Sequence, residues 1–82
     1  MKAGEIYQHF KGHIVYIMNI GIDSENLEEI AIYHHLDDTN KIWVRPVKMF
    51  FEKIDSKKED NITGQKTRFV KIKKEELLKK NK

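Results

Sequence analysis

The chain contains no cysteine, and only one of its 82 residues is proline. Without cysteine it forms neither disulfides nor a thiolate metal site, so packing or self-association must hold a fold this small. Its longest apolar stretch, Ile14 to Ile22, has about nine residues, whereas a membrane helix needs roughly 20. The chain also lacks a glycine-rich phosphate loop. These absences predict a cytoplasmic protein with no membrane partner.

The length allows one domain with one small core, because domains typically hold about 100–150 residues. Hydrophobic residues make up 39% and charged residues 35% of the chain, which is typical of a globular protein. A domain this small has little room for a deep catalytic cavity. It is a candidate for homo-oligomerisation, although the sequence does not give the oligomeric state.

Charge is distributed unevenly along the sequence. Residues 1–52 have a net charge of −3, and residues 53–82 have a net charge of +6. A lysine-rich end is usually a solubilising, partly frayed segment. The alternative is a nucleic-acid surface, in which a basic stripe contacts phosphates and aromatic side chains stack on bases. The residues of that stripe would be Lys66, Arg68, Lys71, Lys73 and Lys74.

Two apolar runs, Glu5 to Phe10 and His13 to Ile22, flank Lys11-Gly12 and predict a β-hairpin with a two-residue loop. This loop would place Tyr7 opposite Tyr16. Alternation then predicts one face with Tyr7, His9, Ile14, Tyr16 and Met18, and a second face with Ile6, Phe10, Val15 and Ile17.

The remaining chain predicts three more strands separated by turns. For the third we favour a strand at Ile30–Leu36 over a helix at Ser24–Tyr33, because β-branched and aromatic residues are dense there. The other predictions are a turn at Asp37–Asn40, a strand at Ile42–Arg45 ended by Pro46, one helical turn at Val47–Phe51, an exposed loop at Glu52–Gly64 and a strand at Thr67–Ile72.

This outline predicts a mainly β fold, a small SH3-like barrel of four to five strands with one helical turn before the last strand. Residues 1–72 would form the single domain. Residues 73–82 would form a lysine-rich tail or a short C-terminal helix.

Two segments, Tyr7 to Gly12 and Ile42 to Phe50, carry a family resemblance. The pattern Tyr-x-His-Phe-Lys-Gly followed by Trp-Val-Arg-Pro-x-x-Met-Phe resembles an uncharacterised bacterial family, domain of unknown function 1653. The resemblance implies a compact SH3-type barrel with no assigned activity. The polar turn Asp37–Asn40 departs from the glycines that family members often have before the Trp strand.

Catalytic and metal chemistry find little support in the sequence. His9 and His13 have a zinc-like spacing, but the predicted hairpin would send their rings to opposite faces, and His34 and His35 would also diverge on a strand. The two serines lie in predicted polar segments without a neighbouring histidine. We therefore predict no catalytic residue, no metal, no cofactor and no enzymatic activity.

The strongest candidate site is a group of aromatic and basic side chains. Trp43 and Arg45 project from one face of their strand, where an aromatic surface beside a guanidinium can hold a planar, anionic or extended ligand. The alternative makes Trp43 the main core aromatic and Arg45 a structural residue near Pro46. The leading prediction is a non-catalytic binding module that recognises a protein segment or small ligand. Its candidate residues are Tyr7, His9, Tyr33, Trp43 and Arg45.

Overall fold

The computed structural model describes residues 1–80, including the side chains of residues 1–77. In this part of the chain, one antiparallel sheet has the strand order β4-β3-β2-β1-β5, and two short helices accompany it. The mainly β prediction is confirmed. The elements are β1 (Ile6–His9), β2 (Ile14–Ile22), β3 (Glu29–His35), β4 (Asp38–Pro46), α1 (Val47–Phe50), β5 (Phe69–Ile72) and α2 (Lys74–Lys80).

The sheet remains open, so the predicted closed barrel does not form among the described residues. Its outer strands, β4 and β5, are not paired with each other. Helix α1 follows β4 directly and places Phe50, which is 0% exposed, against the sheet. The Phe50 ring lies 4.0 Å from that of Phe69 and 5.4 Å from that of Tyr33. Side-chain packing therefore takes the place that backbone pairing has in a closed barrel.

The core lies on one face of the sheet, which we call the inner face. Its buried residues surround Phe50 and come from every strand except β4. They are Tyr7, Val15, Ile17, Ala31, Tyr33 and Phe69. The outer face is the opposite one.

The first hairpin differs from its prediction by one residue. Its loop has three residues, Phe10 to Gly12, because the His9 N–H donates to the His13 carbonyl at 2.8 Å. Gly12 has a φ of +101°, the left-handed conformation that commonly ends such a loop. Tyr7 consequently pairs with Val15 and not with Tyr16. The predicted division into two faces is therefore wrong.

The third strand is confirmed, and the competing helix from Ser24 is wrong. The helical turn after Pro46 is confirmed as α1. The predicted turn at Asp37–Asn40 is wrong, because the chain turns at Leu36-Asp37 and β4 already begins at Asp38. The Asn40 N–H donates to Asp38 Oδ1 at 3.1 Å, so the local bonding expected of a turn occurs inside a strand.

The segment between α1 and β5 is mostly exposed, as predicted, but Asn61 is buried there. Its side-chain amide donates to the carbonyls of Asp55 and Gln65 at 3.1 and 2.8 Å, and its oxygen accepts from the Gly64 N–H at 2.9 Å. One polar side chain thus organises the loop from within. The fifth strand is shorter than predicted, since Thr67 forms only an isolated bridge with Lys53.

Helix α2 covers most of the predicted tail, and residues 81–82 of that prediction lie outside the described residues. The domain boundary at residue 72 stays a prediction. No helix in residues 1–80 is long and apolar enough to cross a membrane.

Candidate ligand-binding cleft

Four ring side chains form a row across the inner face, which we call the ring row: His9, His13, His35 and Trp43. Ring centroids are 5.7 Å apart between His9 and His13, 5.1 Å between His13 and His35, and 5.7 Å between His35 and Trp43. The last two pairs are stacked, with interplanar angles of 24° and 20°. The three-residue hairpin loop makes this row possible, because it brings His13 opposite His9.

The ring row borders an open cleft of about 280 Å³, which two arginines also line. Arg45 Nε donates to the Tyr33 hydroxyl at 3.4 Å, and its guanidinium carbon lies 5.7 Å from the Phe69 ring centroid. Arg68 reaches Glu52 at 3.2 Å, while its buried Nε has no hydrogen-bond partner. The cleft thus combines aromatic walls with two positioned guanidinium groups.

The cleft carries an excess of positive side chains, although two of them are paired with carboxylates outside its lining, Lys11 with Asp60 at 4.0 Å and Arg68 with Glu52 at 3.2 Å. Its lining includes Lys11, Arg45 and Arg68 but no aspartate or glutamate among the described residues. Burial is the main cause that lowers the pKa of His9 to about 4, and electrostatic repulsion from His13, Arg45, Arg68 and Lys11 contributes to the same shift. His9 is therefore neutral at pH 7. Its Nδ1 accepts from the Lys11 N–H at 3.1 Å, so its proton lies on Nε2.

Four of the five predicted ligand-binding residues meet at this cleft: His9, Tyr33, Trp43 and Arg45. Trp43 is 46% exposed, so its interpretation as the main core aromatic is wrong. Arg45 bonds a side-chain hydroxyl and not the backbone near Pro46. Their role in binding stays a prediction.

Tyr7, the fifth candidate, is in the core and does not line the cleft. Its ring packs 5.6 Å from that of Phe50, and its hydroxyl donates to Glu5 Oε1 at 3.1 Å. Burial and this carboxylate raise the pKa of Tyr7 to about 12. We therefore withdraw Tyr7 from the candidate site.

Sequence reasoning missed His13, His35 and Phe69 as candidate ligand-binding residues and assigned Arg68 only to the basic stripe, whereas all four line the cleft. The strand alternation of His35 and Phe69 was visible, but nothing in the sequence says which of two faces holds the core. The position of His13 depends on the length of the hairpin loop. Gly12 is the only indication of that length in the sequence, and it fits a loop of three residues as well as one of two.

The prediction that the His9 and His13 rings lie on opposite faces is wrong, since their ring centroids are 5.7 Å apart. His34 and His35 do diverge: His34 stacks on Tyr16 at 5.4 Å, away from the ring row. In residues 1–80, no group of three or more histidines or carboxylates is arranged to hold a metal ion. The absence of a metal and of a cofactor stays a prediction.

The predicted basic stripe is divided by ion pairs. Arg68 pairs with Glu52 and faces the cleft, whereas Lys71 Nζ lies 2.7 Å from Glu5 Oε2. The hydrogen bond from Lys71, with further bonds from Lys2 and Tyr7, lowers the pKa of Glu5 to about 2 despite partial burial. The other three lysines, Lys66, Lys73 and Lys74, are exposed. Nucleic-acid binding by this stripe stays a prediction.

Residues 5–71 match the model of one protein family, described as Protein of unknown function (DUF1653). The chain belongs to this family. The resemblance seen in the Tyr7–Gly12 and Ile42–Phe50 segments is thereby confirmed. The DUF1653 match includes the ring row and both arginines, whereas α2 lies beyond it. Searches among curated proteins and solved structures find no match to the chain.

Proposed function

We propose that this DUF1653 protein is a non-catalytic binding module whose cleft recognises a protein segment or a small ligand. The observation that supports this most is Trp43, the only tryptophan, which is 46% exposed at the rim of a cleft that also holds Arg45. Tryptophan and arginine are the residues that most often dominate binding energy at interfaces.

The packing of the cleft supports binding over a purely structural role. The core is completed by Phe50, Phe69 and their neighbours, and it does not include the ring row. His35 and Trp43 stack on each other at the surface, where apolar area remains in contact with water. A ligand that covers this area gains the free energy of removing it from solvent.

The chemistry of the lining supports a non-catalytic role. Its polar side chains are histidines, Lys11, Tyr33 and two arginines, so the described lining offers no serine, threonine, cysteine or carboxylate. A nucleophile held by a base, or a pair of carboxylates, is the usual requirement for hydrolytic chemistry. The cleft is better suited to holding a ligand than to transforming one.

We also propose that the sheet is an open form of the SH3-like fold in a cytoplasmic protein. The order β4-β3-β2-β1-β5 with a helical turn before β5 supports the first part, and the lack of cysteine supports the second. An experimental structure that pairs the last strand with a strand other than β1 would contradict the fold assignment.

The function is tested by truncating the two rim residues, Trp43→Ala and Arg45→Ala, in the full chain. Each immobilised variant is compared with the wild type for the ligands and peptides that it captures from a cell extract. We expect each truncation to weaken capture by about 2 kcal/mol, roughly thirtyfold, as is usual for such anchors.

Matched controls come from the same strand. Ile42→Ala and Val44→Ala remove apolar side chains that are 59% and 68% exposed and do not line the cleft. These controls are expected to capture the same ligands as the wild type. If the rim variants lose only folding stability and capture an unchanged set, the proposed function is wrong.

A further inference from the structure

The ring row has one open end. His13, His35 and Trp43 stack in sequence, and Trp43 stands on β4, an outer strand of the sheet. Among the described residues, no ring stacks on Trp43 except that of His35. We propose that the cleft takes a small ligand made of one planar ring system, single or fused, that carries an oxyanion, with the ring system on Trp43 and the oxyanion at Arg45 and Arg68. This inference rests on the proposed function and names the ligand class.

The arginines supply the argument for an oxyanion. Arg45 forms no ion pair within the described chain, and its hydrogen bond goes to the Tyr33 hydroxyl. Arg68 uses one terminal nitrogen for Glu52 and leaves Nε without a partner. A guanidinium with free donors matches a phosphate or carboxylate in both geometry and charge.

The charge of the cleft argues against a cationic ligand. Aromatic surfaces also attract quaternary and methylated ammonium groups, but such sites need surroundings that tolerate a further positive charge. Here Lys11, Arg45 and Arg68 line the cleft without a carboxylate in the lining. Electrostatic repulsion from these side chains contributes, after burial, to the lowered pKa of His9, so a further cation in the cleft would meet the same repulsion.

The size of the cleft favours a ligand with one planar ring system. Its volume of about 280 Å³ lies just below the range for small-molecule sites, which is roughly 300–1,000 Å³. A ring with one anionic group fits this space better than an extended polymer. Both a phosphate ester and a carboxylate satisfy the chemistry, and the test distinguishes them.

The test is a nitrogen-15 NMR titration of the full chain at low salt with two matched sets of probes. The first set keeps one planar ring system, indole, and varies the charge: indole-3-acetate is anionic, 3-methylindole is neutral and tryptamine is cationic. The second set separates the parts of a phosphate ester: adenosine 5′-monophosphate, adenosine and inorganic phosphate. We expect a probe with both ring and oxyanion to shift the amides of residues 43–45 and 68–69. Its dissociation constant should be at least about tenfold lower than those of its partial analogues.

Variants assign the effect to the two arginines. Arg45→Gln and Arg68→Gln should each weaken the anionic probe about tenfold or more and leave 3-methylindole binding unchanged. Lys66→Gln removes one positive charge from an exposed residue outside the cleft lining, so it controls for net charge. The amide spectrum of each variant reports whether it is folded.

Three results would overturn the inference. If 3-methylindole or tryptamine binds as tightly as indole-3-acetate, the site binds rings without regard to charge, and the proposed function still stands. If none of the six probes shifts cleft amides, the ligand class is wrong, and the capture experiment decides the function independently. If a single-stranded oligonucleotide binds more than tenfold tighter than adenosine 5′-monophosphate and Lys66→Gln weakens it, the partner is nucleic acid.

Discussion

At the scale of single residues, His9 connects the fold to the cleft. Its backbone N–H donates to the His13 carbonyl at the end of the first hairpin. Its ring centroid lies 4.8 Å from that of Phe69 and 4.3 Å from that of Phe10. Burial against these rings, followed by nearby positive charges, holds the pKa of His9 at about 4 instead of 6.5. A neutral imidazole at physiological pH therefore forms part of the cleft wall.

This pKa makes folding stability depend on pH. The unfolded chain takes up a proton at His9 below its usual pKa of 6.5, whereas the folded chain takes it up only near 4. The neutral form of His9 therefore makes its full contribution to folding stability above pH 6.5, and this contribution is lost as the pH falls to about 4. After allowance for solvent screening, we expect the free energy of unfolding to fall by about 1–2 kcal/mol in this window.

Chemical denaturation at a series of pH values measures the effect. His9→Gln keeps a hydrogen-bond acceptor for the Lys11 N–H but cannot titrate, so its stability should change less between pH 6.5 and 4. His34→Gln removes a histidine that stacks on Tyr16 and does not line the cleft, and serves as the control. Equal pH dependence in the wild type and His9→Gln would show that His9 is not the responsible group.

At the scale of elements, the hairpin loop Phe10 to Gly12 determines what the inner face carries. A two-residue loop would place Tyr16 opposite Tyr7, whereas the three-residue loop places Val15 there. Because side chains alternate along a strand, this single residue exchanges the faces of every side chain on β2. The positive φ of Gly12 therefore controls whether His13 joins the ring row.

Replacement of Gly12 by alanine tests this control. At a φ of +101°, a Cβ is strained, and it would also lie 2.8 Å from Ile62 Cδ1. We expect Gly12→Ala to lower the free energy of unfolding by about 1–2 kcal/mol. Gly64→Ala is the matched control, because Gly64 has a φ of +73° but no atom within 4 Å of the added Cβ.

Thermal or denaturant unfolding gives both values. The Gly64 variant measures the cost of a positive φ without a steric contact, and any excess in the Gly12 variant reflects its larger φ together with the contact with Ile62. A Gly12→Ala protein as stable as the wild type would mean that the loop has another conformation.

Local sequence patterns were enough to predict that the five strands and α1 exist, but not where β4 and β5 begin. Density of β-branched residues identified β3, and the single proline marked the end of β4. Register was harder to predict, because Lys11-Gly12 fits loops of two or three residues equally well. Closure into a barrel was harder still, since it depends on Phe50 packing onto Phe69 across a long loop, a contact that no local pattern encodes.

For the candidate site, the sequence predicted correctly only which residues of a single strand lie together. Period-2 alternation correctly put Trp43 and Arg45 on the same face. His35 and Arg68 come from other strands or loops, and their meeting with Trp43 depends on the sheet order and register. Tyr7 was wrongly assigned to the site. Its burial under Phe50 depends on tertiary packing, which the sequence pattern does not reveal.

At the scale of the whole molecule, the charge of the cleft differs from that of the segment that builds most of it. Residues 1–52 have a net charge of −3, yet they supply the ring row and Arg45. Their carboxylates lie outside the cleft lining, although one of them, Glu52, pairs with Arg68, which comes from the basic part of the chain. The central claim is therefore an exposed aromatic surface with a locally positive field.

Quenching of Trp43 fluorescence by small ions tests this claim most directly, because Trp43 is the only tryptophan. At constant ionic strength, a positive cleft concentrates iodide around the indole and repels caesium. We expect iodide to quench Trp43 several-fold more efficiently than caesium, relative to free tryptophan amide, and Arg45→Gln to reduce this preference. Equal quenching by the two ions, or protection from both, would contradict an exposed cationic cleft at Trp43.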